Sequence, residues 1–397
     1  MLHMAGDDPF GDNPFGGLPF FGDLSKMFGQ QGPIQWDLAR QLAVQLATGG
    51  QSEHNVDPPQ RVKVEELARV AELQVSALTG LEPTRGGRPV KVEVVTRSEW
   101  ASVTLDAYRP LMERLASRLQ STPPEDAQAG PETQMLSGLF QFLNPMMTAM
   151  SAGSIAGHLA SRALGSYDLP VPRDADRIDL VASNLNDFAD EWSVPIDDVV
   201  LWACVHDLTM HSVLSLPHVR ERWMGLIESY IDGFHHDPMA LGDRLSNLDM
   251  GAGNPMELAQ NMQELFADPD TLLGALRSPE QDAVVPHLDA MLAALVGYVD
   301  HMVNTIGSRL IGSHDALSEA FRRRRVTAGA ADRFVERLVG VDLRTDLVER
   351  GHSFISGIAE RAGEDGVRQL WESARTIPTP AEVDAPGLWL ARLDVLD

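Results

Sequence analysis

The stretch most able to do chemistry is VVLWACVHDLTMHSVLSLPHVRERW, residues 199–223. It places His206, Asp207, Met210 and His211 within six residues. A zinc hydrolase motif of the form His-Glu-x-x-His needs two histidines at i and i+4. On an α-helix these differ by about 40° in azimuth, so both imidazoles face one ion. The Glu after the first His then reaches the metal-bound water as general base. Here His206 occupies the first position, Asp207 stands where the Glu belongs, and Met210 stands where the second His belongs. His211 comes one residue late, rotated about 140° from His206, so an unbroken helix cannot aim both rings at one ion. A π-bulge would restore the register by inserting one residue.

The substitutions are chemically costly for such a site. A thioether is soft and neutral, suited to copper(I) more than zinc. The Asp207 side chain is one methylene shorter than Glu, and a misplacement of about 1 Å can cost about a hundredfold in rate. Other groups could also carry chemistry. Asp300 and His301 fall on a different helix and are able to approach the first. The pair His235–His236 falls in a loop and reads as surface. Cys204, the lone cysteine, lies two residues before His206, and i, i+2 residues do not face each other on a helix. A Cys-His nucleophile pair is therefore not expected.

The positioning elements read as mostly helical. Apolar residues recur at helical spacing over 35–48, 64–79 and 99–119, and again over 197–214, 219–230, 256–277, 286–306, 330–340 and 343–373. Gly80 reads as a helix stop. Val90, Val92 and Val94 alternate with polar neighbours and mark the best strand candidate. DLPVPRDAD, residues 168–176, reads as a loop followed by two helices. Gly153, Gly157 and Ser161 repeat every four residues, spacing that lets two helices approach closely. The run Arg322–Arg325 reads as a solvated or acid-pairing helix face. Residues 1–33, rich in Gly, Pro and Phe, read as a flexible tail, and 34–397 as a single, mainly α domain with minor strand content.

Composition bounds the function. A net charge of −25 lacks the basic footprint of a nucleic-acid binder and disfavours an anionic membrane surface. A single cysteine excludes an intrachain disulfide framework and suits a reducing cytoplasm. No signal-peptide pattern or uninterrupted apolar run of about 18 residues is seen. The segment nearest in character to a membrane span is Met135–Leu164.

The phrases around the motif carry a resemblance. GPIQWDLARQLA, TRSEWASVTLDAYRPLMERLA, LGSYDLPVP, LVASNLNDFADEWSVPIDDVVLWACVHDLTMH, LVGYVDHMVNTIG, LVGVDLRTDLVERGHSFISGIAERAG and IPTPAEVDAPGLWLARL follow one another along the chain. In that order they resemble the zincin-like metallopeptidase type 2 family, a mainly actinobacterial group of candidate hydrolases. The resemblance implies a zincin-like helical scaffold and a zinc site. It matches His206 to the first zinc ligand, Asp207 to the catalytic Glu, Met210 to the second ligand, and Val296, before Gly297, to a Glu taken as the third. Three of these four positions depart from the family pattern. The expectation is a non-catalytic member that binds a peptide or protein partner and needs no cofactor. Two alternatives stand beside it: an active zinc hydrolase with an atypical site built from His206 and His211, and a structural subunit that oligomerises.

Overall fold

The computed structural model describes residues 33–85, 88–119, 131–234, 278–327 and 329–396. The tail before residue 33, most of the linker expected at 121–132, His235–His236 and the helix expected at 256–277 lie outside the described residues.

Two apolar helices form the centre. Helix α6 (Ile196–Leu214) and helix α8 (Pro279–Leu310) pack against each other. Val199 to Val205 and Asp207 to Leu214 are all buried, as is the α8 run from Ala290 to Val299. Helices apolar on every side satisfy themselves only by burial on every side. Around them lie α1 (Trp36–Thr48), α2 (Pro58–Thr79), α3 (Arg97–Leu119), α4 (Pro131–Ala160), α5 (Ala182–Trp192) and α7 (Pro217–Asp232). The chain closes with α9 (His314–Val326), α10 (Ala330–Leu338), α11 (Thr345–Arg368), α12 (Pro380–Asp384) and α13 (Pro386–Leu396). One apolar core runs through these elements, from Ile34 to Leu393.

Local chemistry sets several boundaries. Gly80 ends α2 with φ 70°, a left-handed cap that glycine adopts without strain. Pro217 opens α7 at its first turn, where its missing N–H is not needed. Ser278 and Gln281 form a reciprocal capping box at the start of α8.

Small residues decide which helices touch. A Cβ on Gly153 would lie 2.5 Å from the Ala39 carbonyl oxygen, and one on Gly157 would lie 2.7 Å from that of Ala43. Helix α4 therefore packs backbone to backbone on α1, as the four-residue spacing predicts. Gly297 and Gly351 do the same where α8 crosses α11: a Cβ on either would overlap a carbonyl of the other helix.

The strand read from Val90, Val92 and Val94 exists as β3 (Lys91–Val95), after a minimal hairpin of β1 (Thr84–Arg85) and β2 (Arg88–Pro89). Its partner is β4 (Arg177–Val181), parallel and in register from Lys91–Arg177 to Val95–Val181. The expectation of helix directly after residue 176 is thereby corrected, since Arg177–Val181 is strand. Four of the five residues of β4 are buried, and the chain enters α5 at Ala182 without a break. A short run covered on both faces carries no alternation to distinguish it from helix.

Among the described residues, helix α8 is long and apolar enough to cross a bilayer by length and composition, and 61% of its apolar window is buried in the fold.

Candidate functional site

Helix α6 is α-helical from Ile196 to Leu214, without a π-bulge. His206 and Met210, at i and i+4, both line one cavity of about 140 Å³, and Asp207 joins them at its wall. Helix α8 supplies Val296, Val299 and Asp300 to the same cavity. Met210 and Val296 thus share one apolar wall and leave the space beside them unfilled. His211 points elsewhere. Its Nδ1 meets the Tyr167 hydroxyl at 2.8 Å, its Nε2 meets the Ser215 hydroxyl at 3.1 Å, and the residue is buried. His301 pairs with Glu364 at 3.1 Å. Cys204 is fully buried, and burial pushes its thiol above the usual range, which disarms it as a nucleophile.

The opposite wall comes from the loop between α4 and β4, which the sequence reading left without a role. Its backbone is held by side chains from four elements. The Trp100 indole donates to the Gly165 carbonyl at 3.1 Å, and the Trp223 indole donates to that of Pro170 at 2.6 Å. The Asn184 amide donates to the carbonyls of Ala160 and Ala163 at 2.9 and 2.6 Å. Asp207 completes the set: its Oδ2 accepts from the backbone N–H groups of Ser166 at 2.6 Å and Tyr167 at 3.2 Å. Gly165 makes this approach possible, since a Cβ there would sit inside the Asp207 carboxylate.

The other Asp207 oxygen lies 2.9 Å from His206 Nδ1. A carboxylate only accepts, so His206 Nδ1 is the donor in this contact. The His206 ring stacks on Trp202 at 5.0 Å, and Trp202 stacks on Phe321 of α9 at 3.4 Å. The imidazole is thereby fixed in plane.

The rim is charged. Arg324 bridges the Arg162 carbonyl at 2.6 Å and Asp168 at 2.9 Å. Arg325 grips Asp300 with both terminal nitrogens, at 2.7 and 2.9 Å. Arg162 pairs with Asp332, which also meets His158 at 2.7 Å. The run Arg322–Arg325 therefore divides. Arg322 and Arg323 are exposed and pair with Glu319, whereas Arg324 and Arg325 face the cavity. An i, i+1 run splits between faces on any helix, but only the packing of α9 selects which half turns inward.

Glu336 of α10 also lines the cavity and accepts the Leu343 N–H at 2.9 Å. Burial pushes its carboxyl up to about 7, against the pull of the Leu343 N–H and of Arg333 and Arg337. The folded chain thus holds this proton more tightly than the unfolded chain does. The resulting stabilisation is complete below the unfolded value near pH ~4.5 and is lost as pH rises through about 7. With solvent at one edge of the side chain, its size is on the order of 2 kcal/mol. Urea unfolding at about pH 5 and about pH 8 is expected to show this loss, and Glu336→Gln is expected to remove that part of the pH dependence.

Zinc is the group a zincin scaffold implies, and the donors at the matched positions do not fit it. His206 offers one ring nitrogen, Met210 a thioether and Val296 nothing, while both Asp207 oxygens are engaged within the protein. Among the described residues, no group of three His, Cys, Asp or Glu side chains is arranged to hold a metal ion.

The fold defines the class of the molecule as a mainly helical protein with a cavity between its two central helices. The model of the zincin-like metallopeptidase family matches residues 34–390, and the chain belongs to that family. Among solved structures, it is similar in fold to a candidate hydrolase with a novel fold from Chloroflexus aurantiacus. That similarity has a TM-score of 0.59 at 19% identity and covers 91% of this chain and 99% of the other. Comparison with curated proteins gives no significant match.

Proposed function

We propose that this chain is a non-catalytic member of the zincin-like metallopeptidase family that binds a peptide or protein partner through the cavity between α6 and α8. The observation that carries the reading is the use made of Asp207. A general base must present a free carboxylate to the substrate side. The Asp207 side chain is instead consumed by two loop amides and the neighbouring imidazole. The same reading takes Met210 and Val296 as an apolar contact surface in place of ligands. An active enzyme using His206 and His211 would need both rings turned to one point, and His211 is committed to Tyr167 and Ser215.

Metal content of chelator-free protein, measured by elemental mass spectrometry, tests the proposal. The expected result is less than about 0.1 zinc per chain, persisting after incubation with excess zinc and dialysis. Near-stoichiometric zinc together with peptidase activity would sink it.

A further inference from the structure

Three aspartates at the cavity rim are saturated as acceptors, while two arginines beside them keep unused donors. Each carboxylate oxygen of Asp168, Asp300 and Asp332 already meets a partner. Asp168 takes the N–H groups of Leu164 and Gly165 on one oxygen and Arg324 on the other. Asp300 spends both on Arg325. Asp332 divides between His158 and Arg162, with the Gly329 N–H added. A guanidinium carries five N–H donors. Among the described residues, Arg324 uses only Nη2 and Arg162 only Nη1. Both side chains line the same cavity. The two groups are also close enough to disfavour each other: burial and then the Arg324 charge hold Arg162 below its usual range. An anion between them would relieve that repulsion and take up the idle donors.

The space supplies the size. A cavity of about 140 Å³ is close to the roughly 150 Å³ that holds a six-carbon ring. Beside the charged and polar side chains its wall carries an apolar part, including Met210, Val296 and Leu343. We infer that the cavity is a subsite for a small aliphatic carboxylate, its oxygens held by Arg162 and Arg324 and its alkyl part laid on Met210 and Val296. The carboxylate is either a free short-chain acid or the C-terminal residue of a peptide. The inference rests on the reading of the cavity as a binding site with no metal.

Isothermal titration of the full chain, stripped with chelator and held at pH ~6, tests it. Butanoate is expected to bind saturably with a Kd of about 1 mM or tighter, and butylammonium not to bind. Arg162→Met and Arg324→Met are each expected to weaken butanoate at least about tenfold. Val296→Phe, which fills the cavity and leaves both arginines in place, is expected to abolish binding. N-acetyl-Ala-Val and its C-terminal amide then separate the two sources. Tighter binding of the free dipeptide, lost in the amide, assigns the site to peptide C-termini, and preference for butanoate assigns it to a free acid. Absence of binding by either acid, preference for butylammonium, or butanoate binding unchanged in all three variants would each overturn the inference. A carboxylate held by a metal would behave differently, since it would survive arginine replacement and vanish with the chelator. Failure of the non-catalytic reading is thereby separable from failure of this one.

Discussion

Asp207→Ala is expected to cost roughly 3 to 5 kcal/mol of unfolding free energy, the largest single-residue effect in the cavity wall. The carboxylate satisfies two buried backbone N–H groups, those of Ser166 and Tyr167. Leaving each without an acceptor costs about 1 to 3 kcal/mol. The loop they belong to also carries Asp168 and Tyr167 into the cavity wall, so its release would loosen the Arg324 contact as well. Asp207→Asn keeps one carbonyl oxygen at the same reach and loses only the charge, with an expected cost of about 1.5 kcal/mol. Asp207→Glu is the informative third variant. A position still serving as catalytic base would welcome the family residue. Here the added methylene drives the carboxylate toward the backbone at Gly165, which has no room to yield, and destabilisation of about 1 to 3 kcal/mol is expected. Denaturant unfolding of the three variants decides the matter. A cost below about 1 kcal/mol for Asp207→Ala would show that the side chain is not the fastener of this loop.

Zinc binding is expected to return when Met210→His and Val296→Glu are combined, with His206 and Asp207 left alone. The i, i+4 pair 206 and 210 lies on one α-helical face, and residue 296 lines the same cavity from α8. Two imidazoles and a carboxylate form a three-protein-ligand zinc set that leaves a fourth position open. The Asp207 contact already accepts from His206 Nδ1, as an outer carboxylate commonly does for a metal-bound histidine. The occupancy expected by elemental analysis rises from less than about 0.1 to about 1 zinc per chain. Adding Asp207→Glu on top should not raise it, and the cost at Gly165 should lower it. A folded double variant that remains metal-free would show that positions 206, 210 and 296 do not converge on one ion. Hydrolysis is not expected to return with the metal, because the carboxylate at 207 stays tied to the loop.

Much of this was legible in the residues themselves. Both α6 and α8 read as helices in the sequence, and glycine spacing announced the close crossing of α4 on α1. Helix geometry by itself separates His211, at i+5, from His206. The alternation of Val90, Val92 and Val94 revealed β3, because one face of that strand is less buried than the other. Its partner β4 gave no such signal, being covered on both sides and continuous with α5.

What the sequence by itself determined is local: helix phase, caps, small-residue stripes, and the identities at 206, 207, 210 and 296. Those follow from side-chain chemistry and backbone periodicity, which act over a few residues. The tertiary structure decided the rest. It turned Arg324 and Arg325 inward while Arg322 and Arg323 stayed in solvent, brought Glu336 and the Gly165–Asp168 loop to the same cavity, and made Asp207 a structural acceptor. None of those assignments is encoded in spacing. Each depends on which distant backbone groups come within hydrogen-bonding reach of a side chain, and only packing of the two central helices against their neighbours fixes that.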